Sequence, residues 1–385
     1  AYHVAPRDWH ADHVMFNSGM GSITCLLMVM RTLFMPRPGK PLCLHGMGGY
    51  FEIMDLFTAS NDELFRIEIL REQADFMDRI AGGVSQLLYI EPVFTLYGLE
   101  VFDLEGFLDA LERRNPGIPT IIIFDTTLLG NRFPVSEVLT RLHGRQHTIV
   151  IQISSTLKLD QEGLEFSNGG LMSIYATSAA NVDDIAMRMR KYRAAMGLGL
   201  TMDQIAALDY PGFLDLAVSE QHCDGVFRNN EHLARSLETG NDRLFEAKSH
   251  PVLQGLDPVP WSIAPFVNVR LRQGSTSNDR NLLKHVFQAE SMQRGLTFQP
   301  GSSFGFRAHR VEMGGLRDDQ GYEIIRIAMG CRRGPGVEAT IGLLNDISRL
   351  GNIEAVIKKY PAVAEHFDRT ERKRPGTGSS TEADQ

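Results

Sequence analysis

Residues 118 to 158 read IPTIIIFDTTLLGNRFPVSEVLTRLHGRQHTIVIQISSTLK. Two apolar runs stand in this stretch, Thr120 to Asp125 and Thr148 to Ile153. Each is too short for a helix and rich in isoleucine, which reads as a strand buried on both faces. Between them Val135 to His143 has helical spacing. Successive strand, helix and strand imply parallel pairing, because parallel neighbours need a crossover. Both strands end on chemistry: the first closes on Asp125, and the second runs through Ser154-Ser155-Thr156-Leu157 to Lys158. Open parallel sheets place ligands at the carboxyl ends of their strands, so this one stretch sets a fold class and a candidate site.

The pattern extends outward. MFNSGMGSITCLLMVMRTLF (residues 15–34) reads as a loop entering a buried helix, capped by Asn17 or Ser18 and stopped by Pro36. No clean apolar strand precedes it. PLCLHG (41–46) is expected as a strand, Asn61 to Arg66 as an acidic helix, Gln86 to Ile90 as a strand, and Leu104 to Arg114 as a helix ended by Asn115-Pro116-Gly117. GGLMSIYA (169–176) is a further strand. Ala179 to Met196 and Thr201 to Leu237 are helical, with breaks at residues 197–200 and at Pro211-Gly212. From Trp261 the pattern mixes: IAPFVNVRLR (263–272) alternates as a half-buried strand, Asn281 to Arg294 is helical, EIIRIAMG (323–330) is a strand and Gly336 to Arg349 a helix.

The expected architecture is therefore α/β, with a mostly parallel central sheet in a large domain over residues 1–200. A helical bridge over 201–260, a smaller α+β C-terminal domain over 261–367 and a disordered, charge- and Gly/Ser-rich tail over 368–385 complete it.

Composition excludes several classes. With 43% hydrophobic and 22% charged residues in 385, the chain is globular and buries a large core. A net charge of −8 argues against nucleic acid and anionic membranes as partners. No run of eighteen apolar residues exists to span a bilayer, and no signal-peptide pattern opens the quoted sequence. The four cysteines, Cys25, Cys43, Cys223 and Cys331, lie far apart without CxxC or zinc spacing, which reads as a reduced, cytoplasmic protein. None of the twelve histidines has metal-ligand spacing, so no metal is expected.

The chemistry at the two strand ends is specific as a pair. A lysine amine forms an imine with an aldehyde, and a carboxylate keeps a pyridine nitrogen protonated; together these are what pyridoxal 5'-phosphate (PLP) needs from a protein. Either residue alone reads as a solvated surface group. The turn Ser18-Gly19-Met20-Gly21, opening a helix, offers backbone N–H groups and a positive helix end to a phosphate, or serves simply as a tightly packed N-cap. It also imitates the start of GxGxxG, but Thr24 stands at the third glycine.

This order of elements resembles the PLP-dependent fold type I enzymes of the Cys/Met metabolism (transsulfuration) family. Its SGM phosphate turn is similar to Ser18-Gly19-Met20. Its YGGTYRLF segment is similar to residues 50–57, YFEIMDLF, which open on Tyr50. ExPxNP and the stretch after it are echoed by residues 91–95 (EPVFT) and 101–104 (VFDL). VDNT matches Phe124-Asp125-Thr126-Thr127, SxTK matches Ser155-Thr156-Leu157-Lys158, and VRLSVG is similar to residues 325–330, IRIAMG. A Ser-Leu-Gly-Gly turn is echoed by Ser303-Phe304-Gly305. The resemblance covers about residues 15 to 350.

The resemblance implies roles. Lys158 would hold PLP as an imine, yield to a substrate amine and act as the base; Asp125 would hold the ring nitrogen protonated. Tyr50 would stack on the ring, with Gly19, Met20, Thr127 and Ser155 around the cofactor and its phosphate. Arg326 and Ser303 would receive the substrate. The implied reaction is β- or γ-elimination or replacement on an amino acid, through an external aldimine and an α-carbanion; an aminotransferase of the same fold, or a catalytically silent paralogue, uses or retains the same residues. Homodimers or homotetramers are implied, because such sites form between subunits. The chain also departs from the family: Thr95 stands for an asparagine, Leu157 for a threonine, and Gln161-Glu162-Gly163 for a glycine-histidine run. The family's N-terminal arm, which gives a tyrosine and an arginine to the neighbouring subunit's phosphate, has no match here and is expected upstream of Ala1.

Overall fold

The structure is a computed structural model that describes residues 5–36, 39–255, 259–312, 317–318 and 320–371. From the N-terminus, β1 (His10–Phe16) leads into α1 (Gly19–Phe34). There follow β2 (Leu42–Met47), α2 (Phe51–Ser60), β3 (Phe65–Ile69), α3 (Gln73–Ala81), β4 (Leu87–Ile90), α4 (Leu104–Arg113), β5 (Thr120–Asp125), α5 (Val135–Arg141), β6 (Thr148–Ser155) and β7 (Gly170–Ala176). Among the described residues these strands form one seven-stranded sheet in the order β1-β7-β6-β5-β4-β2-β3. β2 to β6 are parallel, and β7 runs against both of its neighbours.

The continuous apolar runs have a direct explanation. On β5, Ile122 and Phe124 enter a core shared with Phe76, Phe107 and Val138 on α3, α4 and α5. Ile121 and Ile123 enter the opposite core with Leu26 on α1. Both faces are covered, so the run Ile121 to Phe124 is apolar throughout. Each such side chain contributes about 1.5–3 kcal/mol of burial.

Beyond β7 come α6 (Ala179–Ala195), α7 (Met202–Leu208), α8 (Leu216–Ser236), β8 (Phe245–Ser249), β9 (Val267–Leu271), α9 (Ser277–Gln293), β10 (Phe298–Pro300), β11 (His309–Glu312), β12 (Ile324–Ala328), α10 (Pro335–Ser348), α11 (Ile353–Lys359) and α12 (Pro361–Glu371). Strands β8 to β12 make a second sheet ordered β10-β11-β12-β9-β8. It is mostly antiparallel and packs Val269, Ile325 and Ile327 against Leu283 and Phe287 of α9 and Leu344 of α10. The molecule is thus α/β around a mostly parallel sheet, with a smaller α+β unit after it. No helix among the described residues is long and apolar enough to cross a membrane.

Four segments differ from the sequence reading. The stretch expected as an acidic helix, Asn61 to Arg66, is a turn running into β3. Asp62 Oδ1 accepts from the amides of Leu64 (2.9 Å) and Phe65 (2.8 Å), and the strand buries Phe65 while exposing Arg66 and Glu68, the alternation of a sheet edge. A strand does precede α1: β1 pairs with β7 over seven residues, although its first residues are polar. The stretch 201–260, expected to be helical, also contains β8, which joins the second sheet. The tail expected to be disordered from residue 368 is helical through Glu371 in α12; residues 372–385 lie outside the described residues.

Candidate active site

The carboxyl ends of β5 and β6 carry Asp125, Thr127, Ser155 and Lys158, while Gly19 and Met20 open α1, Tyr50 precedes α2, Ser303 lies between β10 and β11, and Arg326 is on β12. Lys158 sits in the turn after β6, its amide 3.4 Å from the carbonyl of Ser155. Its Nζ donates to Ser303 Oγ and lies 5.6 Å from the centroid of the Phe304 ring. Burial pushes the Lys158 ammonium below the usual lysine range and Arg326 adds to this, whereas Glu312, Glu52 and Glu165 oppose it. The loop that supplies Ser303 is held against the lysine. Gly305 has φ +80°, and a Cβ there would stand 2.6 Å from Lys158 O; His222 Nε2 donates to Gly305 O at 2.8 Å. Ser303 itself has φ +76°. A non-glycine residue in that region stores of order 1–3 kcal/mol of strain.

Asp125 ends β5. Its Oδ1 accepts from Thr127 N at 3.0 Å and its Oδ2 from the Tyr89 hydroxyl at 3.3 Å. That hydroxyl also lies 3.4 Å from Glu91 Oε1, so one phenol stands between two buried carboxylates. Burial raises the pKa of Asp125; Thr127 and Tyr89 counter it in part, and no cationic side chain among the described residues does so. Burial likewise raises Glu91, with the Asp125 charge adding to it. Glu91 accepts from the amides of Gly49 (3.1 Å), Tyr50 (2.9 Å) and Thr95 (3.0 Å), and from Thr95 Oγ1 (2.9 Å). It thereby fixes the turn that presents Tyr50 at the start of α2. The Tyr50 hydroxyl donates to Glu52 Oε2 at 2.8 Å. Burial raises this phenol first; Glu52 and Asp125 add to the effect and Arg326 opposes it.

The turn expected to hold a phosphate is built at the start of α1. Ser18, not Asn17, is the cap: its Oγ accepts from Gly21 N at 2.9 Å. The amides of Gly19 and Met20, in the first helical turn, have no acceptor within the helix. Met20 packs its side chain on the core below. Ser155 closes the turn from β6, so near that a Cβ on Gly19 would lie 3.1 Å from Ser155 Cβ. Thr127 Oγ1 accepts from Ser155 N at 3.0 Å, tying this turn to Asp125. Thr156 is fully buried, with its hydroxyl packed against Gly169, which leaves Ser155 as the hydroxyl beside the helix.

Arg326, on β12, is 4.2 Å from the centroid of the Phe266 ring and donates from Nη1 to Glu312 Oε2 at 3.1 Å. Burial lowers its pKa, and Glu312 counters that. The electrostatic influence of Arg326 reaches both Tyr50 and Lys158. Every residue singled out in the sequence thus falls into one region. Sequence reasoning missed the roles of Tyr89, Glu91 and Glu312. Tyr89 and Glu91 stand two apart at the end of an apolar strand, a signal available in principle; Glu312 becomes visible only through strand register.

These residues suit PLP. A partly buried carboxylate lacking a cation among the described residues matches a pyridinium nitrogen, the α1 amides with Ser155 match a phosphate, and a partly buried amine matches an aldehyde.

No protein-family model matches the chain, and no curated protein matches its sequence. Its structure resembles that of apo CalE6, a methionine gamma lyase from Micromonospora echinospora, with a TM-score of 0.62 and 18% identity over 86% of this chain and 81% of that one. It is similar to cystathionine gamma-lyase from yeast (0.61, 16% identity, 87% and 81% covered). Another similar structure is cystathionine gamma synthase from Xanthomonas oryzae pv. oryzae in complex with cystathionine (0.58, 16%, 87% and 82%). At this level of identity the likeness establishes architecture, and the chain has the fold of the PLP-dependent fold type I enzymes.

Proposed function

We propose that this chain is a PLP-dependent enzyme of amino-acid metabolism that catalyses β- or γ-elimination or replacement. The observation that carries this reading is the convergence of a partly buried amine, Lys158, with a partly buried carboxylate, Asp125, that has no cation beside it among the described residues, next to a helix start walled by Ser155. The similar structures act in the same direction, since one of them holds cystathionine.

PLP, when bound, supplies an electrophilic aldehyde and a ring that takes up the electron pair left when an α-proton departs. This chain's residues supply the rest. The amides of Gly19 and Met20, with Ser155 Oγ, bind the phosphate at the positive end of α1. Asp125 holds a proton on the ring nitrogen, and Thr127 fixes its carboxylate. Tyr50 would lie against the cofactor's ring. Lys158 Nζ loses its proton more readily in its partly buried surroundings than an exposed lysine does, so it would supply the amine that holds the cofactor's aldehyde carbon and the base for a proton at the substrate's α-carbon. Ser303 Oγ orients Nζ, and Arg326 receives the substrate carboxylate.

The test is direct. The purified full-length chain, mixed with PLP, is expected to gain a visible absorption band that borohydride makes permanent at Lys158. The Lys158→Ala variant is expected to show neither. A wild-type protein without the band, or a variant that keeps it, overturns the reading. Release of ammonia and a 2-oxo acid from a supplied amino acid then marks elimination; accumulation of the pyridoxamine form marks transamination instead.

A further inference from the structure

Arg326 does not face the site alone. Glu312 lies directly opposite it across the β11–β12 pair, where side chains share a face, and its Oε2 takes the Nη1 donor at 3.1 Å. Both side chains are largely covered, at 11% and 20% exposure, so solvent screens their attraction only in part. The guanidinium is not used up. Among the described residues its Nε is buried and without a partner. Glu323, on the same sheet, makes a different kind of pair: its two oxygens are taken separately, Oε2 by Arg280 and Oε1 by Arg317. Among the described residues Arg280 Nε is buried without a partner just as Arg326 Nε is, so the two pairs differ in that Glu323 is shared between two arginines while Glu312 pairs with Arg326. Arg326 is linked to the site, because Phe266 under Arg326 contacts Phe304 (centroids 5.3 Å apart), and Phe304 lies under Lys158.

We propose that Glu312 determines ligand specificity: its carboxylate holds the place on Arg326 that a ligand carboxylate would take, so carboxylate-bearing ligands compete with it and neutral ones do not. This rests on the assignment of Arg326 as the carboxylate seat. An arginine already neutralised by its own strand partner offers an incoming anion a polar donor edge but little net charge. Exchanging Glu312 for glutamine keeps the shape and one hydrogen-bond acceptor while returning the charge.

The experiment uses the full chain and two small probes, propionate and the uncharged propionamide, titrated by ligand-detected NMR. Glu312→Gln is expected to bind propionate about tenfold more tightly and propionamide unchanged, and adding Arg326→Leu is expected to remove the gain. If Glu312→Gln leaves propionate binding unchanged while Arg326→Leu weakens it, the seat stands and Glu312 is not a competitor. If both probes tighten equally, the substitution has only opened the site, and the proposal fails. If neither variant alters propionate binding, the assignment of Arg326 fails and takes the proposal with it.

Discussion

Asp125 and Lys158 are each held in a state that burial disfavours, and they lean in opposite directions. An acid that binds its proton more tightly folded than unfolded loses stability as pH rises from its ordinary 3.8 through its raised folded value, and the deficit persists at neutral pH. Asp125→Asn is therefore expected to stabilise the cofactor-free chain at pH 7 by roughly 0.5–2 kcal/mol while weakening PLP binding. Urea unfolding and a PLP titration check the two halves; a less stable variant would show that the carboxylate is well accommodated without a cation. For Lys158 the sign reverses. Its folded pKa is lowered, so the deficit is present at neutral pH and disappears as pH rises towards the ordinary 10.5. The rate of PLP uptake should accordingly climb with pH to a midpoint below 10.5, and a midpoint at or above that value contradicts the burial account. Both residues were legible because Asp125 ends an apolar strand and Lys158 follows one by a three-residue step. Glu312 was not, since its importance lies in what stands across from it, and register is not written in a four-residue strand.

At the scale of elements, the site depends on how closely α1 meets the sheet. Gly170, at the start of β7, faces Ser18 and Gly19 so closely that an added Cβ would collide with their backbone. Backbone cannot rotate away as a side chain can. Gly170→Ala is expected to cost about 1–3 kcal/mol of stability and to lower phosphate affinity by shifting the first turn of α1, with helix content by circular dichroism unchanged. Retained phosphate affinity would mean the turn tolerates displacement. The buried strands β4 and β5 were readable because coverage on both faces demands nearly unbroken apolar runs. The edge strands were harder. β3 mixes charges with its apolar residues, and β1 opens on His10-Ala11-Asp12-His13 with exposed and half-buried positions, so each resembles a loop or a helix until its partner is known.

At the scale of the whole molecule, several large apolar side chains among the described residues stay exposed near the start of α1. Met202 is 78% exposed, and Phe166, Ile205 and Leu216 are between 43% and 50% exposed. They lie on or beside α7 and the start of α8, and the Phe166 ring meets Tyr210 at 5.2 Å between centroids. This region borders the phosphate turn, because Gln204 Nε2 donates to Asn17 O at 3.2 Å and to Asn168 O at 3.1 Å. Large apolar side chains clustered at a surface mark a place where another surface docks. A second copy of the same chain would both cover them and wall the phosphate turn. The full-length protein is therefore expected to sediment as a homodimer or homotetramer. Met202→Glu combined with Ile205→Glu should shift it towards monomer, because each new carboxylate would have to be desolvated in the contact. The same double variant should take up PLP more weakly, although neither side chain belongs to the residues assigned to the cofactor. A wild-type monomer that binds PLP with full affinity would show that the turn is complete within one chain, and an oligomer indifferent to both substitutions would place the contact elsewhere on the surface.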